Sequence, residues 1–135
     1  MPRMESDYLG EVLIPDDVYW GAQTQRALEN FNISGLKFHP EFVKSTALVK
    51  LAAVEANMKL GRIDKKVGKA IAKAAREVAD GKLMDQFVLD VFQAGAGTSH
   101  NMNANEVIAG PSQRPCKQGS VYQRCYTHGH EDHFP

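Results

Sequence analysis

A mainly α-helical domain, entered through a short strand or hairpin and followed by a disordered tail, is the fold class this sequence predicts. Three observations predict it. Residues 40–60 and 64–80 repeat apolar side chains at helical spacing. Strand-like character is confined to one short stretch near the start. From residue 110 to 135 there is no Leu, Ile, Ala or Met, so that part has little to bury. With 135 residues the chain holds one domain and a modest core.

The elements follow in order. Residues 9–15 predict a short strand or hairpin, and residues 24–31 a short helix. Pro40 suits the first turn of a longer helix, in which Val43, Ala47, Leu51, Val54 and Met58 form one stripe and Gly61 marks the end. Phe42, Ala53, Ala56 and Leu60 add apolar surface on another side, as in a helix packed on two faces. Asp64 caps the next helix, which repeats at Val67, Ile71, Ala74, Ala75 and Val78 and stops near Gly81. Its remaining face carries Lys65, Lys66, Lys69, Lys73 and Arg76, the pattern of a solvated face rather than a binding patch.

Charge narrows the function classes. Sixteen basic and sixteen acidic residues balance, which favours neither nucleic acid nor a membrane surface as partner. No apolar run approaches a transmembrane span, and MPRMESDYLG lacks the apolar stretch of a secretory signal. A soluble, cytoplasmic protein is the expectation.

Chemistry concentrates in residues 93–109, QAGAGTSHNMNANEVIA. The Gly/Ala run lets backbone approach a ligand, and Thr98 or Ser99 is placed to cap a helix running through Val107 and Ile108. A helix N-terminus presents free N–H groups and partial positive charge, which suits a carboxylate or phosphate. A plain capped helix after a glycine loop accounts for the same residues. Asn101, Asn103 and Asn105 weigh against that plainer reading, because asparagine disfavours helix interiors and needs hydrogen-bond partners. Asn101 and Asn105 share a face, with Met102, Val107 and Ile108 turned towards a core. Upstream, Arg26 either clamps a carboxylate or pairs with Asp16, Asp17 or Glu29 to hold its loop.

These residues carry a resemblance. GAGTSHNMNANEVIA resembles the first substrate-binding signature of the class II fumarase/aspartase group in the fumarate lyase superfamily. SDYLGEVLIPDDVYWGAQTQRALENFNISG, residues 6–35, is similar to the start of those enzymes. The resemblance covers roughly residues 4–109 and implies the N-terminal domain of a fumarate lyase-like fold. GAGTS looks more like the aspartate ammonia-lyase members, while Trp20 suits a fumarase equally. The implied reaction is β-elimination of ammonia from L-aspartate to give fumarate, with fumarate hydration as the alternative. Donors must surround the negative charge that develops as an aci-carboxylate. The resemblance maps that substrate-binding role onto Thr98, Ser99, Asn101 and Asn103, with Arg26 as support. It implies no metal and no organic cofactor, a small dicarboxylate substrate, and homotetrameric full-length relatives. The catalytic serine of the group belongs to a later mobile loop, so no catalytic residue is assigned and the chain alone is expected to be inactive. His100 discriminates nothing, being read as an ordinary polar loop histidine.

Residues 1–109 thus read as an incomplete lyase domain and residues 110–135 as a non-native tail. The tail holds Cys116, Cys125, His128, His130 and His133, and THGHEDH resembles a metallo-β-lactamase metal motif. A metal-binding or interaction protein would be a function of another class, but the buried strand that precedes such a motif is missing. A shifted reading frame explains the tail better: back-translated freely, residues 111–134 permit HPNDHVNKAQSTNDVIPTAMRITF, which resembles the next signature of the same lyases. The cysteines and histidines are therefore not expected to be selected ligands. The resemblance also implies a missing stretch near Ala109 and Gly110.

Overall fold

The computed structural model describes residues 2–113, with side chains placed as far as Gly110. The tail residues Cys116, Cys125, His128, His130 and His133, and the disorder expected of them, lie outside the described residues.

Strands β1 (Arg3–Asp7) and β2 (Gly10–Ile14) form an antiparallel hairpin in which Arg3 opposes Ile14 and Asp7 opposes Gly10. The strand expected from residue 9 is thus the second arm of a hairpin that begins earlier. Alternation on β1 runs opposite to the usual sense. Its inward residues are Arg3, Glu5 and Asp7, while Met4 and its cross-strand neighbour Leu13 face outward, each more than half exposed. Charge, not hydrocarbon, fastens this strand. The Arg3 guanidinium donates to the carbonyls of Pro15, Val18 and Trp20 at 2.9, 3.0 and 2.6 Å, which fixes the path of the chain into α1 (Ala22–Asn30).

The two predicted central helices are α2 (Pro40–Lys59) and α3 (Lys65–Ala79). Pro40 opens α2 as expected, and the His39 side chain accepts from the Glu41 N–H. Asp64 caps α3 by accepting from the N–H groups of Lys66 and Val67 at 2.8 and 3.2 Å. Val43, Ala47 and Val54 of α2 are buried against Ile71, Ala74, Ala75 and Val78 of α3. The crossing is close: a Cβ on Gly68 would lie 2.4 Å from the Met58 side chain. The basic residues of α3 are exposed, as a solvated face requires.

The expected second packed face of α2 is covered only in part among the described residues, at Phe42 beside Phe38 and His100. Phe42 is 51% exposed and Leu60 72% exposed, and Ala53 and Ala56 are exposed too. A 3₁₀ turn (Met84–Gln86) and a second (Gly95–Gly97) lead to α4 (Thr98–Gln113), which packs on α1, α2 and α3. Trp20, Phe87, Ala104, Val107 and Ile108 complete the core where these helices meet. Among the described residues no helix is long and apolar enough to cross a membrane.

Candidate functional site

The loop before α4 arrives in a conformation that its residues explain only in part. Gly97 has φ +73°, which glycine adopts freely. Ala96 has φ +60°, a left-handed conformation that costs an alanine roughly 1–2 kcal/mol. Thr98 follows as the first helical residue. Its hydroxyl donates to the Gly95 carbonyl at 3.2 Å and is exposed. The capping expected of Thr98 or Ser99 falls instead to Gln93, whose side-chain carbonyl accepts from the His100 N–H at 2.6 Å. A capping residue seven positions before its target lies outside the local patterns that sequence reading uses.

The four predicted substrate-binding residues divide by depth. Thr98 and Asn101 are exposed at the first turn of α4, whereas Ser99 is buried and Asn103 is 1% exposed. Asn103 donates through Nδ2 to the Gln86 carbonyl at 3.1 Å, so its amide holds the Met84–Gln86 turn. Its Oδ1 is buried with no hydrogen-bond partner among the described residues. Asn105, placed on one face with Asn101 by spacing, is also buried. The difference is one of helix face: Thr98 and Asn101, at i and i+3, point away from the three helices that α4 packs on, whereas Ser99 and Asn103 lie towards them.

Arg26 is engaged. Its Nε and Nη2 donate to the two carboxylate oxygens of Asp7 at 2.9 and 3.0 Å, and Nη2 also reaches the Gly10 carbonyl. The pairing that spacing suggested with Asp16, Asp17 or Glu29 is therefore replaced by a two-point contact with the hairpin. The Arg26 guanidinium, helped by the Leu9 N–H, lowers the Asp7 pKa against a smaller opposing effect of burial.

Glu106 was not singled out by sequence, yet it joins the two signature segments. Its carboxylate accepts from the N–H groups of Gly21, Gln23 and Thr24 at 2.9, 3.0 and 3.0 Å, and from the Thr24 hydroxyl at 2.6 Å. A carboxylate at a helix N-terminus satisfies free donors and complements the dipole. Here it comes from α4, more than eighty residues away. GAQT and NANEVIA thus lie together because one supplies the anion and the other the donors.

Asp90 acts similarly on the segment before α2. It accepts from Ser34 N–H and hydroxyl, Gly35 N–H and Phe92 N–H, all within 2.8 Å. Burial opposes its ionisation, but these four donors outweigh burial and hold the carboxyl well below its ordinary range.

His100 corrects its sequence reading most clearly. It lies on the first turn of α4, 4% exposed, with its ring 4.5 Å from Phe38, 4.9 Å from Phe42 and 6.1 Å from Phe87. The Thr46 hydroxyl lies 3.0 Å from both His100 Nε2 and the Phe42 carbonyl, and the tautomer of the ring sets which of the two it donates to. Nδ1 is buried with no hydrogen-bond partner among the described residues. Burial, and then the charge of Lys50, push the His100 pKa down and keep the ring neutral. No group of three or more His, Cys, Asp or Glu suited to a metal occurs among the described residues. An open cavity of about 730 Å³ beside Pro2, Ile14 and Asp17 contains none of the candidate residues.

Comparison with known proteins gives this arrangement a family. A family model described as lyase matches residues 10–130. Over 107 residues the chain is 59% identical to an aspartate ammonia-lyase from a Bacillus species, covering 79% of this chain and 23% of that protein. It is 58% identical over 107 residues to a class II fumarate hydratase from Halobacterium salinarum, with the same coverage. The crystal structure of fumarate lyase:delta crystallin from Brucella melitensis in native form superposes with a TM-score of 0.81 and 51% identity, covering 84% of this chain and 27% of that one. Hairpin, packed helices and glycine-loop helix start together define the N-terminal part of a lyase. The chain belongs to the lyase family that the model describes, the fumarate lyase superfamily. It spans about a quarter of the length of these relatives.

Proposed function

We propose that this chain carries one substrate-carboxylate-binding segment of an aspartate ammonia-lyase, which converts L-aspartate to fumarate and ammonia by β-elimination. The observation that carries this reading is the exposed Thr98 hydroxyl and Asn101 amide on the first turn of α4, beyond a backbone bent left-handed at Ala96 and Gly97. The Asn101 amide at the positive end of a helix suits a substrate carboxylate, and more so the aci-carboxylate that forms when the adjacent carbon loses its proton; the Thr98 hydroxyl joins it by turning from the Gly95 carbonyl. Ser99 and Asn103 stand behind them as the buried wall of this turn, and Arg26 supports through the hairpin. The chemistry of β-elimination calls for a base and neither metal nor organic cofactor. In this reading the base comes from sequence beyond the matched quarter, a homotetramer completes the site, and the chain alone is inactive.

The choice of aspartate over malate rests on the GAGTS form of residues 95–99, since relatives of both kinds match at nearly equal identity. A class II fumarate hydratase segment is the second reading. The test is nuclear magnetic resonance of the labelled chain titrated with L-aspartate, L-malate and succinate. Amide shifts confined to Thr98, Ser99 and Asn101, larger with aspartate than malate, are expected. A chain whose Thr98 and Asn101 signals ignore all three dicarboxylates overturns the site. Fumarate production from aspartate by the purified chain, surviving removal of contaminating lyase, overturns its inactivity.

A further inference from the structure

The seam between α2 and α4 holds a polar contact that no part of the proposed reaction uses. Lys50 projects from α2, and its ammonium donates to the side-chain carbonyl of Asn101 on α4. The two residues are 51 positions apart, so only the fold brings them together. Lys50 is partly buried, and its ammonium is held at the seam by Asn101. The same burial lowers its pKa.

An asparagine side chain has an accepting end and a donating end, and its surroundings decide which one a ligand meets. An ammonium only donates, so beside Lys50 the Asn101 amide must present its carbonyl to the ammonium. With the carbonyl engaged by Lys50, the two N–H donors of the exposed Asn101 amide are the end offered to a ligand. We propose that Lys50 is a positioning residue that fixes the Asn101 amide with its N–H groups, rather than its carbonyl, towards a carboxylate of the bound dicarboxylate. This rests on the carboxylate site proposed above and adds the group that sets its polarity. Without Lys50 the amide is free to turn over, and the reversed orientation places an acceptor against an anion. The ammonium also adds positive charge beside a helix N-terminus.

The test compares the labelled 135-residue chain with Lys50→Met, which keeps the stem and removes the donor, and Lys50→Arg, which keeps a donor. The Asn101 side-chain carbonyl carbon is followed through the alkaline titration of Lys50, and succinate affinity is measured for each protein. The carbonyl carbon should move with the Lys50 Cε signal in the native chain and lose that transition in Lys50→Met. Succinate affinity should fall about tenfold in Lys50→Met and return in Lys50→Arg, at unchanged melting temperature. An Asn101 carbon indifferent to Lys50, or equal succinate affinity in the native chain and Lys50→Met, overturns the positioning role. If Lys50→Met does not fold, the native titration and Lys50→Arg still decide. A coupled titration without succinate binding by the native chain overturns the carboxylate site itself, and the positioning role falls with it.

Discussion

Single residues in this domain act mainly by lending hydrogen bonds across long sequence distances. Glu106 is the strongest case, with four donors from α1 and the turn before it. Glu106→Gln keeps the size but turns an amide against N–H donors, so it should cost about 2–3 kcal/mol in urea unfolding; a loss under about 0.5 kcal/mol would show that the cap is dispensable. His100 sets a pH dependence. Its folded pKa lies below the unfolded value of about 6.5, so its stabilising effect is complete above that pH. It is lost as pH falls through the folded pKa, because the unfolded chain then binds the extra proton more readily. Melting temperature should therefore drop between neutral and mildly acid pH, and His100→Phe should flatten that drop. Equal pH slopes in the two proteins would refute the neutral, caged imidazole. The sequence displayed Glu106 and His100 plainly enough, yet gave no hint that Thr24 or three phenylalanine rings would surround them.

At the scale of the element, α2 and α3 were legible almost to their ends, because capping and apolar repeat are local properties. Pro40 and Asp64 begin the helices where side-chain chemistry says they should, while the cap supplied by His39 appears only in the structure. Gly68 is the exception worth testing. Inside a helix, glycine costs about 1 kcal/mol relative to alanine, so propensity alone favours Gly68→Ala. The close crossing reverses the expectation, since the new methyl would strike Met58. The substitution should destabilise by about 1–3 kcal/mol in chemical denaturation, and Met58→Ala in the same chain should recover part of the loss. An increase in stability for Gly68→Ala alone would mean that the helices part without cost. The beginning of α4 was half legible: the glycine run marked the bend, but Gln93 rather than Thr98 or Ser99 satisfies the first turn.

For the whole molecule, the exposed apolar surface of α2 has physical consequences. Leu48, Val49 and Leu60 are 54%, 68% and 72% exposed, and apolar surface of this kind promotes self-association. Sedimentation of the purified chain should show mass rising with concentration. Val49→Lys combined with Leu60→Lys should suppress that rise without lowering the melting temperature; association unchanged by both charges would place the sticky surface elsewhere. The reading frame is a property of the gene. We propose that residues 110–135 derive from a frame-shifted lyase coding segment, while the family match itself runs to residue 130. Nucleotide sequence across the codons for Ala109 and Gly110 tests this: lyase sequence in the adjacent frame is expected, and its absence would sink the proposal. By itself the sequence determined the second arm of the hairpin, the two long helices, the glycine-loop helix start and the family, because periodicity, caps and contiguous signatures need only neighbouring residues. Tertiary structure alone decided which asparagines stay outside, what Arg26 holds, where Glu106 reaches and why His100 is neutral. Each of those depends on segments far apart in the chain meeting at hydrogen-bond distance, and burial by three surrounding helices cannot be read from the spacing within one.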